Sequence, residues 1–179
     1  MTDHNQNMQH LLTLNPEDAT PAEVAQYRVR HAARAVVTDA TGQVALLYVG
    51  KFGYYKLPGG GLDEGEDIAS ALARECLEEI GCHVEVTGEL GQIDEYRKLF
   101  SLHQISYCYR AQVVGTKGAP AFTEKELSRG FEIVWVPAAE ALRLVATSTT
   151  DNPEGRNYIA PRDLCLLQLA FDGEEVSAG

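Results

Sequence analysis

Cations are scarce in this sequence, paired Cys-x-x-Cys cysteines are missing, and no apolar run is long. Lys and Arg total 15 against 26 Asp and Glu, for a formal net charge of −11. A field of that sign repels a nucleic-acid backbone, so DNA or RNA polymers are not expected partners. Small phosphorylated ligands are compatible with it, because a divalent cation bridges protein carboxylates to phosphate oxygens. Cys76, Cys82, Cys108 and Cys165 stand in apolar or strand-like contexts and read as reduced packing residues rather than a zinc site. No stretch is long enough to span a bilayer, and the opening MTDHNQNMQH lacks the basic start and apolar core of a signal peptide. The expectation is a cytoplasmic protein with no membrane partner. No Lys-Ser or Lys-Thr follows Gly59–Gly61, and no G-x-G-x-x-G fits, which removes the P-loop and dinucleotide-binding readings.

What is present is ordinary globular material: 179 residues with 45% hydrophobic and 23% charged suit a single domain with a sizeable core. Residues 1–19 show no period. Thr20, Pro21 and Glu23 then form a capping-box pattern for a short helix. RAVVTDATGQVALLYV reads as two strands joined by a turn, and YYKLP as a third that the glycines end. HVEVTGEL and QIDEY read as short strands. ISYCYRAQV alternates strictly, which predicts a half-buried strand with Ile105, Tyr107, Tyr109, Ala111 and Val113 on one side. FEIVWV is a further strand, Pro137 opens a helix, and APRDLCLLQLAF is a last amphipathic helix. This order predicts an α/β fold with two or three helices on a mixed sheet. The division expected is an N-terminal extension over 1–29, a domain over 30–171 and a tail over 172–179.

The unusual stretch is LPGGGLDEGEDIASALARECLEEIGC, residues 57–82. Ile68, Leu72, Cys76 and Ile80 recur every fourth position and mark the buried face of a helix that Gly81 stops. Glu75, Glu78 and Glu79 project within an arc of roughly 100° on one side of that helix. Like charges at such spacing repel, and Glu79 falls beside the apolar stripe where water is limited. Something positive is required to compensate them. The tight glycine run lets backbone groups approach a ligand closely.

The combined spacing resembles the box of the Nudix family. Gly60, Glu66, Arg74, Glu75, Glu78, Glu79 and Gly81 fill all its fixed positions, a chance on the order of 10⁻⁸ per starting position at residue frequencies of about 5–7%. The aliphatic slots hold Cys76 and Cys82, small and apolar enough to pack. The resemblance implies a Nudix-type alpha/beta/alpha sandwich and a MutT-like pyrophosphatase. Such an enzyme uses Mg²⁺ or Mn²⁺ to direct water onto a diphosphate linked to another moiety. By the same resemblance Glu75 and Glu79 are the principal metal ligands, assisted by Glu78 and the Gly59 carbonyl. Glu66 and Arg74 pair to brace the loop against the helix, with Gly60 supporting it. Glu75 and Glu78 also stand as catalytic candidates. The family often places a further glutamate on a later loop, and FTEKELSRG offers Glu126, with Glu124 as the alternative; a charged surface turn is the plain reading of both.

Lys51, Phe52, Tyr54 and Lys56, just before the glycines, mix positive charge with aromatic faces suited to a nucleotide. Tyr96 is a candidate for stacking on a base, with packing as its plain alternative, and His83 reads as structural. No proline lies between Pro58 and Pro120, which departs from the proline that resembled ADP-ribose hydrolases carry soon after the box. The leading expectation is a metal-dependent hydrolase of a nucleotide or nucleoside diphosphate derivative, with a homodimer open. A nucleotide sensor of the same fold loses box carboxylates that this chain keeps. A diphosphate isomerase of the same fold has a degenerate box and needs a catalytic cysteine and histidine ligands.

Overall fold

Alternating apolar residues over residues 28–49 cannot cover both faces of a lone hairpin, so they recruit helices on either side. The computed structural model describes residues 8–172; most of the tail expected from 172 lies outside them. Its strands are β1 (His10–Leu14), β2 (Arg28–Thr38), β3 (Gln43–Val49), β4 (Tyr54–Lys56), β5 (Gly59–Gly61), β6 (His83–Arg97), β7 (Leu102–Val114) and β8 (Phe131–Pro137). The helices are α1 (Pro21–Val24), α2 (Ile68–Ile80), α3 (Glu124–Ser128), α4 (Ala138–Thr147) and α5 (Ala160–Phe171), the last entered through a π-helical turn at Gly155–Ile159.

The sheet runs β1-β6-β7-β2-β3-β4, with β5 on β2 and β8 on β3. β2 lies parallel to β7 along its whole length, yet meets β3 only at Thr38 and Val44. Beyond that bridge β5 takes the free edge of β2, while β4 and β8 pair with β3. The strands thereby splay, and both halves contribute residues to one cleft.

Period-two alternation assigns the faces. Ala33, Ala35, Val37, Ala45 and Leu47 pack with Ile68, Leu72, Cys76 and Ile80 of α2. Val36, Val44 and Leu46 pack with Ala141 and Val145 of α4 and Leu166 and Leu167 of α5. The result is a sheet between helical layers, as the sequence predicts. Each large apolar side chain buried this way contributes about 1.5–3 kcal/mol. The cysteines are free, with Cys76, Cys82 and Cys108 buried.

Four features differ from the sequence expectation. His10–Leu14 is a strand parallel to β6, where the sequence shows no period. The two short strands expected between residues 83 and 96 are one long strand with irregular register near Gly88 and Gly91, which a period-two reading breaks in two. Gly59–Gly61 do not merely end a strand but form one, antiparallel to Ala32–Arg34. The strand over 102–114 also buries part of its second side, with Gln104, Ser106 and Cys108 all at 0% exposure.

Candidate active site

α2 is fixed at both ends. The Asp67 carboxylate accepts from the Ser70 N–H at 2.7 Å, and Gly81 closes the helix at φ 65°, where a side chain would be strained. The loop returning from β7 donates Ala121 N–H to the Glu78 carbonyl at 2.7 Å, satisfying a last-turn acceptor. The carboxyl-bearing face of α2 is thus held against β5. A Cβ on Gly60 would overlap the Glu75 carboxylate, and one on Gly61 would overlap the Arg30 guanidinium. This close approach is what the glycines permit.

Glu79 is 2% exposed and accepts from Lys56 Nζ at 2.6 Å and from the Gly59 N–H at 2.8 Å. Glu75, its neighbour, accepts from Arg74 Nη1 at 3.0 Å. Burial and the nearby charge of Glu79 push the Glu75 carboxyl above its ordinary range, the behaviour of two carboxylates sharing a site. Glu78 is more open and accepts from Arg74 Nη1 at 3.2 Å. Arg74 also grips Glu66 through both ends of its fork, Nε at 2.9 Å and Nη2 at 2.8 Å, and donates to the Gly61 carbonyl. Arg74 and the Asp63 N–H hold the Glu66 carboxyl down to about 2. The expected partnership of Glu66 with Arg74 is therefore present as a bidentate pair.

The donor set fits a hard divalent cation, which takes carboxylate oxygens and keeps several waters. Glu75, Glu78 and Glu79 supply such oxygens, and the like charges of half-buried Glu75 and buried Glu79 call for a cation. In this structure the protein's own cations compensate them, Lys56 on Glu79 and Arg74 on Glu75 and Glu78. Among the described residues no three Asp, Glu, His or Cys side chains already converge as a ligand group. The Gly59 carbonyl accepts from Arg34 Nη1 at 3.1 Å.

The acidic pair borders a cleft of about 250 Å³ that Tyr54, Lys56, Glu126 and Phe131 also line. Glu126 reaches it, but its carboxylate caps α3 by accepting from the Thr123 N–H at 2.8 Å. Glu124 is exposed and does not line the cleft. Lys51 and Phe52 lie outside the lining, Phe52 stacked on Tyr54 with ring centroids 6.3 Å apart. Tyr96 is not in the lining either. It stands edge-on to His103, because alternation along β6 turns it away from Glu95 and Arg97. His83 is exposed.

The sequence reading missed the other wall. Arg30, Arg34, Arg97, Lys125, Arg129 and Arg162 all line the cleft, so its local charge opposes the chain's overall negative charge. Glu95, 0% exposed, accepts from Arg162 Nη1 at 2.8 Å, Arg97 Nη2 at 2.6 Å and Gln104 Nε2 at 2.9 Å. Burial raises the Glu95 carboxyl, but Arg162 and Arg97 outweigh it and hold it at about 2. Asp163 accepts from Arg162 Nε at 2.7 Å and from the Leu57 N–H at 2.8 Å. Burial, reinforced by Arg162, lowers Arg34 to about 10. Arg162 Nη2 is buried with no hydrogen-bond partner, a condition that costs on the order of 1–3 kcal/mol or more for a charged group. No single segment carries these residues; their one sequence signal is charge inside otherwise apolar strands and the last helix.

A NUDIX domain profile matches residues 28–159. The chain belongs to the Nudix family. An RNA pyrophosphohydrolase of a Sulfurovum species is 58% identical to it over 36 residues, 20% of this chain and 23% of that protein. An RNA pyrophosphohydrolase of Dinoroseobacter shibae is 31% identical over 81 residues, 44% of this chain and 51% of that protein. The Nudix chain thus spans about half the length, or less, of these curated relatives. A solved MutT protein from Methanosarcina mazei Go1 has a TM-score of 0.57 at 17% identity, covering 84% of this chain and 99% of that one; this likeness concerns the Nudix fold alone.

Proposed function

We propose that this Nudix protein is a metal-dependent pyrophosphohydrolase that cleaves a diphosphate linkage in a nucleotide or nucleoside diphosphate derivative. The observation that carries the reading is the pair of half-buried Glu75 and buried Glu79, held against the glycine strand beside a cationic cleft. Glu75, Glu78 and Glu79 would hold Mg²⁺ or Mn²⁺, which supplies charge neutralisation at phosphorus and an activated water when bound. Arg74 keeps Glu75 and Glu78 oriented and ties them to the loop through Glu66. Phe131, partly exposed at the cleft, offers aromatic surface to the rest of the substrate, while Tyr54 is 3% exposed and backs the cleft from the core. Glu126 is the candidate for moving a proton from water at the rim.

The arginine wall favours a second substrate reading. A formal charge of −11 counts against polymers, yet a phosphorylated RNA 5′ end entering the cleft meets guanidinium groups, and the relatives named RNA pyrophosphohydrolase point the same way. The test is a Mg²⁺-supplemented panel of nucleoside triphosphates, nucleotide sugars, dinucleoside polyphosphates and a 5′-triphosphorylated oligoribonucleotide, scored by phosphate and pyrophosphate release. Turnover of at least one class that stops in EDTA is expected. No release from any class with Mg²⁺ or Mn²⁺ overturns the hydrolase reading.

A further inference from the structure

We propose that the cleft floor is a second, metal-independent anion subsite, in which Arg30, Arg34 and Arg162 hold a phosphate group apart from the acidic face of α2. Arg162 is 1% exposed. Its Nε and Nη1 are spent on Asp163 and Glu95, while Nη2 has no acceptor. Arg34 is 6% exposed and donates only to neutral oxygens, Ser106 Oγ at 3.3 Å and the Gly59 carbonyl at 3.1 Å. Among the described residues no carboxylate forms an ion pair with Arg34 or Arg30. Arg30 donates to Gln104 Oε1 and packs on Gly61.

The carboxylates nearby are already engaged by other donors. Glu95 accepts from Arg162, Arg97 and Gln104, and Asp163 from Arg162 and a backbone N–H. Buried positive charge therefore exceeds its compensation, and burial of uncompensated charge favours a site that a counter-ion completes. Guanidinium forks match phosphate oxygens in geometry as well as charge. A tetrahedral phosphate presents acceptors in several directions at once, which suits donors arriving from β2 and α5. The station adjoins the acidic face across the glycine strand, where Gly60 abuts Glu75 and Gly61 abuts Arg30. Arg162 lies beyond the residues 28–159 matched by the family profile, so α5 adds it to the domain.

Two sources could supply the phosphate group: the free end of a substrate's phosphate chain, or inorganic phosphate. We assign the former, an assignment that rests on the hydrolase reading above. It gives a preference for substrates whose phosphate chain ends free over those esterified at both ends. Calorimetric titration of the full chain with pyrophosphate in EDTA separates the subsite from the metal chemistry. Saturable binding is expected, weakened about tenfold or more in Arg34→Gln and retained in Glu79→Gln. No saturable binding by the wild type, or equal binding by a folded Arg34→Gln, overturns the subsite.

If Arg34→Gln does not fold, the wild type still decides. Pyrophosphate in EDTA should raise Tm above that in chloride of matched ionic strength, and no rise overturns the subsite. With Mg²⁺, Arg34→Gln should raise KM for a nucleoside triphosphate and not for a nucleotide sugar. An equal rise for both overturns the free-end assignment. Unchanged KM values with loss of competitive inhibition by inorganic phosphate keep the subsite and reassign it to free phosphate. Pyrophosphate binding in EDTA without hydrolysis of any nucleotide would leave the subsite standing and remove the hydrolase reading.

Discussion

The two walls of the cleft use the same chemical vocabulary to opposite effect. Along α2 and the loop before it, Glu66, Glu75, Glu78 and Glu79 face Arg74 and Lys56, and carboxylate is in excess. On the floor, Arg30, Arg34, Arg97 and Arg162 face Glu95, Asp163 and Glu154, and guanidinium is in excess. One wall suits a cation and the other an anion, so a metal-bound phosphate chain finds complementary charge on both sides. Overall charge says little about a cleft whose walls are charged separately.

The comparison can be broken most sharply on the acidic wall. Glu79→Gln should lower turnover by about three powers of ten, the scale for removing a group that organises transition-state charge, while circular dichroism stays native; unchanged turnover at saturating Mg²⁺ would deny Glu79 its place. On the floor the larger loss is in folding. Arg162→Met leaves Glu95 and Asp163 buried without their shared partner, and breaking such a pair costs about 3–5 kcal/mol in denaturant unfolding. A variant as stable as wild type would mean that solvent already reaches the network.

Acid tests the same floor without mutation. The Glu95 carboxyl is held at about 2 against an ordinary value of 4.5. Its contribution to stability is fully present above 4.5 and is lost as pH falls towards 2. Glu95→Gln should therefore show a shallower fall in stability across that window, measured as denaturant midpoint against pH. The bracing pair comes next. Arg74→Ala should lower activity by about 10–100-fold, as loss of a group that orients metal-facing ligands does, and should also lower Tm.

These walls also differ in how far the sequence discloses them. The acidic wall is written within one helix and the turn before it, so residue spacing converts directly into a shared face. Of its braces, Arg74 adjoins Glu75 on the helix and Glu66 lies in the loop just before it. The floor draws Arg34 from β2, Glu95 and Arg97 from β6, Gln104 from β7 and Arg162 from α5, and only strand order brings them together. Tyr96 fails as a cleft residue for the same reason, since its face depends on the register of a long, irregular strand. The fold was the more legible part: α2 with its Gly81 stop, the helix after Pro137 and the last helix all follow from period and caps. β1 was hidden because a short, partly exposed edge strand needs its partner more than its own pattern.

The smallest expected effect sharpens that point. Tyr96→Ala should change KM by no more than about twofold, the range of substitutions away from a site, since its ring meets His103 and not the cleft. A large rise in KM would return Tyr96 to the substrate.

The most direct measurement is Mn²⁺ titration followed by paramagnetic resonance, on wild type, Glu79→Gln and Arg34→Gln. If the acidic wall holds the metal and the floor holds only anion, wild type and Arg34→Gln bind Mn²⁺ with similar affinity and Glu79→Gln binds it at least about tenfold more weakly. Equal Mn²⁺ affinity in wild type and Glu79→Gln would contradict the assignment of the metal to the glutamate face of α2.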